Sequence, residues 1–113
     1  MITTLKKNKE FNYTYRRGDS RAARHLVAIV AKSSYGGIRV GFSVSKKVGK
    51  SVVRNKVRRR MKEAFGELLP NLAGNHCIVF IAKAAIVNAT FAQILEEMRF
   101  LMNKHGLFGG GQR

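Results

Sequence analysis

IRVGFSVSKKVGKSVVRNKVRRRMKEAFGELL, residues 38–69, changes its hydrophobic period part-way along. Residues 38–45 alternate strictly, with Val40, Phe42 and Val44 on one side and Arg39, Gly41, Ser43 and Ser45 on the other. That is the pattern of a half-buried strand. Residues 52–69 place Val53, Val57, Met61, Ala64, Phe65 and Leu68 at three-and-four spacing, which predicts an amphipathic helix. Ser51 is its candidate cap and Pro70 its stop.

Working outward, residues 25–31 (His-Leu-Val-Ala-Ile-Val-Ala) read as a mostly apolar strand, and Ser33-Ser34-Tyr35-Gly36-Gly37 as a turn. With the strand at 38–45 this predicts an antiparallel hairpin. A helix is expected from Asn8, which can cap it, with Glu10 in the first turn and Gly18 as a left-handed stop. Phe11 and Tyr15, four apart, share one face. A third early strand fits around 18–24 or within the hairpin, and residues 1–7 form a loose basic arm. Downstream, residues 76–82 (His-Cys-Ile-Val-Phe-Ile-Ala) are the apolar run of a strand covered on both faces. Thr90 and Gln93 match a capping box for a final helix. Its buried stripe is Phe91, Ile94, Leu95, Met98, Leu101 and Met102, and it ends at His105-Gly106. Residues 107–113, with Gly109-Gly110-Gly111, form a flexible tail. The sum is one domain over residues 1–113, a compact two-layer α+β sandwich with helices packed on a small sheet.

The 113 residues include 22 Lys+Arg against 6 Asp+Glu, a formal net charge of +16, yet 45% are hydrophobic. That apolar share excludes disorder throughout. Such a charge predicts a polyanionic partner, a nucleic acid before a membrane surface. The charge is uneven: residues 1–63 hold 18 basic and 3 acidic residues, residues 64–113 only 4 and 3. Lone Cys77 forms no internal disulfide and has no metal-ligand spacing around it, which fits a reducing cytoplasm. No signal peptide is recognisable, and no apolar run reaches the roughly 18 residues of a membrane span.

Nine cations and no acid lie between 46 and 62: Lys46, Lys47, Lys50, Arg54, Lys56, Arg58, Arg59, Arg60 and Lys62. Neighbouring like charges on a helix repel, so the row adds nothing to the helix's own stability. Contact with a polyphosphate explains it, arginine being suited to bidentate phosphate geometry. Asn55 can add a directional hydrogen bond. The loop Lys46-Lys47-Val48-Gly49-Lys50 before the helix can cradle an anion, but it lacks the nucleotide P-loop pattern, so no nucleotide cofactor is expected. Phe11, Tyr13, Tyr15, Tyr35 and Phe42 lie in the same basic half. Aromatics beside cations hold single-stranded nucleic acid by stacking and backbone attraction. Phe11 and Tyr15, next to Arg16 and Arg17, read as contacts; Phe42 is either contact or core. Scattered acids and histidines give no paired-carboxylate or metal-ligand signature. Catalysis by this chain's own groups is not expected.

Arg54-Asn55-Lys56-Val57-Arg58-Arg59 resembles the Arg-Asn-Arg-rich helix of the bacterial ribonuclease P protein subunits, with Lys56 in place of an arginine. The run from Arg39 to Gly49 is similar to that family's strand and loop, and Lys7-Asn8-Lys9-Glu10-Phe11 with Tyr15 and Gly18 to its opening helix. The resemblance implies an αβββαβα sandwich with an unusual left-handed crossover. It implies a partner RNA that performs Mg²⁺-dependent removal of the 5′ leader from precursor tRNA, with no cofactor bound by the protein. The helix contacts with that RNA would map to Arg54, Asn55, Lys56, Arg58, Arg59 and Lys62, joined by Lys46, Lys47 and Lys50 of the loop. The leader would meet Phe11, Tyr15, Arg16, Arg17 and Phe42.

Other readings compete. A ribosomal or RNA-chaperone protein shares the charge and the aromatics. A DNA-binding module needs a helix packed before the basic one, where this sequence has a strand. A membrane-surface helix leaves the strands without a core to cover.

Overall fold

In the computed structural model, residues 3–5, 8–33 and 36–108 are described. The remainder of the expected N-terminal arm, Ser34-Tyr35 of the turn, and Gly109-Gly110-Gly111 lie outside them. The elements are β1 (Thr3–Thr4), α1 (Asn8–Arg17), β2 (Asp19–Ala22), β3 (Leu26–Lys32), β4 (Ile38–Ser43), α2 (Ser51–Leu68), β5 (His76–Ala82) and α3 (Phe91–Lys104). The α+β class and the helix–strand order agree with the sequence.

The strands form one mixed sheet in the order β1-β4-β5-β3-β2. β5 is central, antiparallel to β3 and parallel to β4. The hairpin expected between residues 25–31 and 38–45 is therefore absent: those strands flank β5 instead of pairing. A strand apolar on both faces belongs in the middle of a sheet, and Cys77, Ile78, Val79 and Phe80 are all buried there. Asn75 holds the intervening turn astride the start of β5. Its carbonyl accepts from the Ser33 N–H at 3.0 Å and its side chain from the Gly37 N–H at 2.7 Å. The hairpin that does form is β2–β3, which realises the third early strand.

Local expectations change at both termini and at Gly18. Residues 3–5 are not a loose arm: Thr3 and Thr4 pair in parallel with Arg39 and Val40, and Leu5 is buried. The tail begins later than residue 107, because Leu107 is buried and Phe108 bridges to Leu72. Gly18 has no positive φ. It is needed because a Cβ there falls 2.5 Å from Ile29 Cγ2 and from the Thr14 carbonyl oxygen.

Helices cover both sheet faces. α2 and α3 enclose the main core, where Val57, Met61, Phe65 and Leu68 meet Val40, Ile78 and Phe80. On the opposite face, Leu5 and Phe11 cover Cys77 and Val79, so α1 adds a partial third layer to the expected two. Ser51 is the first residue of α2 rather than its cap; Lys50 holds the cap position with no side-chain bond. Thr90 and Gln93 close the expected capping box, with bonds of 3.1 and 2.9 Å.

Candidate nucleic-acid interface

α1 is seated across the sheet by side chains from along its length. Glu10 pairs with Arg39 of β4. The Tyr13 hydroxyl donates to the Lys32 carbonyl of β3 at 2.7 Å. On the same helix, Thr14 is fully buried and its hydroxyl donates to the Glu10 carbonyl at 3.0 Å. Phe11 lies directly on Gly41, where any Cβ would collide with its ring.

This seating opens a cleft of roughly 390 Å³ between α1 and α2. Phe11, Asn12 and Tyr15 form one wall, Phe42, Ser43 and Val44 the floor, and Arg58 of α2 the other wall. β1 pairs only as far as Val40, so among the described residues the edge of β4 beyond it carries no strand. The Phe11 and Tyr15 rings lie 6.4 Å apart, tilted by 38°. Phe42 is both core and cleft: it stacks on Phe80 at 6.0 Å, meets Phe65 edge-on at 6.3 Å and keeps part of its surface in the cleft.

The cations of residues 46–62 stand apart from the acids; no ion pair among the described residues uses one of them. Lys46, Lys47, Lys50, Asn55, Lys56, Arg59 and Lys62 are exposed. Arg54 is half-buried and braces the loop, donating to the Gly49 carbonyl and the Ser51 hydroxyl, both at 3.2 Å. Buried Val48 anchors the same loop. Arg58 donates to the Asn55 side chain at 3.1 Å, which steadies its guanidinium beside the cleft. Arg60 turns away, toward the Ala89 carbonyl at 3.5 Å.

A family model described as Ribonuclease P matches residues 2–106. The chain belongs to the ribonuclease P protein family. A "Ribonuclease P protein component" of a Thermoanaerobacter species is 40% identical over 112 residues, covering 99% of this chain and 97% of that protein. One from Clostridium botulinum is 42% identical over 105 residues, covering 92% and 95%. The solved structure of the Staphylococcus aureus RNase P protein superposes with a TM-score of 0.86 at 29% identity, covering 96% of this chain and all of that one.

In this ribonuclease P protein, Phe11, Tyr15 and Phe42 from the aromatic set meet in one cleft, and Arg58 joins them from the basic helix. Arg16 and Arg17 do not line it; they are exposed at the last turn of α1. Sequence reasoning missed Asn12 and Ser43. The signal was present for Asn12, which is three residues before Tyr15 and so on its face. Tyr35 lies outside the described residues.

Proposed function

We propose that the cleft holds the single-stranded 5′ leader of a precursor tRNA while the exposed cations of α2 and the Lys46–Lys50 loop dock on a catalytic RNA. As a ribonuclease P protein component, the chain acts in tRNA processing within a ribonucleoprotein. The observation that carries the division of labour is Arg58. It belongs to the cationic row with Arg54 and Lys62 and also walls the aromatic cleft. An unpaired strand there meets rings for its bases on one side and a guanidinium for its backbone on the other. On the exposed cations, each neutralised phosphate releases counterions.

Among the described residues, the cleft is lined by aromatic rings, amide, hydroxyl, aliphatic and guanidinium groups and by no carboxylate, imidazole or thiol. Among the described residues no three of His, Cys, Asp and Glu stand together to hold a metal ion. In this reading the phosphodiester is cut at the RNA's own site, with Mg²⁺ held by the RNA, and this chain binds, orients and neutralises. Relieving crowded phosphate charge raises substrate affinity and lowers the metal requirement together. The setting is cytoplasmic, and no described helix is long and apolar enough to cross a membrane. The full-length likeness to ribonuclease P protein components does not favour a ribosomal or chaperone role. The test is leader cleavage by the cognate RNA at low Mg²⁺, with and without the protein. Faster cleavage with protein is expected; equal rates would sink the reading.

A further inference from the structure

A second cationic surface occupies the sheet edge remote from α2. Three strand spacings separate β4 from β2, about 14 Å at roughly 4.8 Å per step. All of β2 is exposed and its outer edge pairs with no strand among the described residues, so part of its backbone N–H row faces outward. Four arginines surround this edge, and all are exposed. Arg16 and Arg17 end α1 on one sheet face, Arg21 lies on β2, and Arg24 sits in the turn to β3. The single acid within 16–24 is Asp19, which pairs with Arg21 at 3.2 Å.

A charged edge strand also guards against pairing with another copy, and Arg21 alone meets that need. Arg16, Arg17 and Arg24 are off the strand, and their guanidinium groups make no hydrogen bond or ion pair among the described residues. Their mutual repulsion is relieved when an anion sits among them. Residues 16–24 contain no aromatic, so the rim offers contacts to phosphates and no stacking platform.

α1 joins this rim to the cleft. It begins over β4, where Phe11 meets Gly41, and runs into Gly18, which abuts Ile29 of β3. Its ten residues span about 15 Å. A strand leaving the cleft past Tyr15 along α1 arrives at the arginines. We infer that the rim from Arg16 to Arg24 binds the phosphodiester backbone of the same single-stranded RNA beyond the cleft, lengthening the track independently of base identity. This rests on the leader reading of the cleft given above.

The experiment titrates the full chain with single-stranded oligoribonucleotides of about four and about twelve nucleotides, by anisotropy at several salt concentrations. Arg21→Gln/Arg24→Gln is expected to keep wild-type affinity for the short oligonucleotide. For the long one it should lose several-fold affinity and about 0.7 of salt slope per lost phosphate contact. An unchanged long-to-short ratio overturns the inference. Equal weakening at both lengths also overturns it, because the rim then acts apart from the track. Self-association of the double variant with unaltered RNA binding overturns it too, in favour of an edge guard. Phe11→Ala separates the two readings. If it leaves short-oligonucleotide affinity intact, the cleft reading fails; if it weakens both lengths while the rim variant weakens neither, only the rim reading fails.

Discussion

The ring of Phe11 rests on the backbone of Gly41 so closely that a Cβ at position 41 falls 2.5 Å from its Cζ and 2.6 Å from its Cε1. Glycine at this point of β4 is what lets α1 lie low enough for Phe11 to form a cleft wall. Gly41→Ala is expected to push the ring aside at about 1–3 kcal/mol, the usual range for overpacking. Single-stranded RNA affinity should fall several-fold with the salt slope unchanged, since no cation is lost. Urea melts and anisotropy titrations check the two halves.

Arg58 and Arg60 are two residues apart and have different tasks. Arg58→Ala should weaken RNA binding and reduce the salt slope by about one phosphate contact. Arg60, directed at the Ala89 carbonyl, should leave the slope closer to wild type when changed to Ala. Slopes reduced equally in both variants would contradict this division.

Arg54 braces a loop with two of its donors. Arg54→Lys keeps the charge but not the fork that reaches both Gly49 and Ser51. RNA affinity is expected to drop a few-fold at low salt with little change in salt slope. Hydrogen exchange of residues 46–50 should quicken in the same variant.

Acid should weaken the fold through two histidines. Burial lowers the His76 pKa, helped by Lys32 and His105. Burial also lowers that of His105, with Arg21 adding to it and the Ala28 carbonyl and Asp19 opposing. Below the ordinary value of 6.5, the unfolded chain takes up protons that the folded chain resists. Stability is therefore full above that pH and declines as pH falls through it. Thermal melts between about pH 7.5 and 5 should show the decline, and His76→Gln should make it shallower.

Thr90→Ala removes one half of a capping box far in sequence from the basic segment. It should cost about 1 kcal/mol and leave the RNA affinity and salt slope of the folded protein unaltered. A binding defect at temperatures where the variant is fully folded would tie α3 to the interface.

Much of this is legible in the sequence. The change of period between Val44 and Val53 located β4 and α2, and Thr90 with Gln93 marked the start of α3. Strand pairing was not legible, because a turn between residues 32 and 38 is compatible either with a hairpin or with a third strand inserted between its arms. Only the apolar character of β5 on both faces hinted at the second outcome. At the site, composition found the cations and the rings, but not which of them converge. Arg16 is next to Tyr15 in sequence, yet only Tyr15 lines the cleft. The Glu10–Arg39 pair joins residues 29 apart in the chain, and no local pattern announces it.

β5 follows the basic helix in the chain yet sits between strands that precede that helix. Until residues 76–82 have been synthesised, β3 and β4 have no shared neighbour, and α2 has no Ile78 or Phe80 to pack against. The cationic half of the molecule therefore leaves the ribosome before the strand that shapes it. Its phosphate-binding surface acquires a fixed form only when the nearly neutral half arrives, so a chain cut short before position 76 carries most of the charge without the central strand that joins β3 to β4 and backs α2.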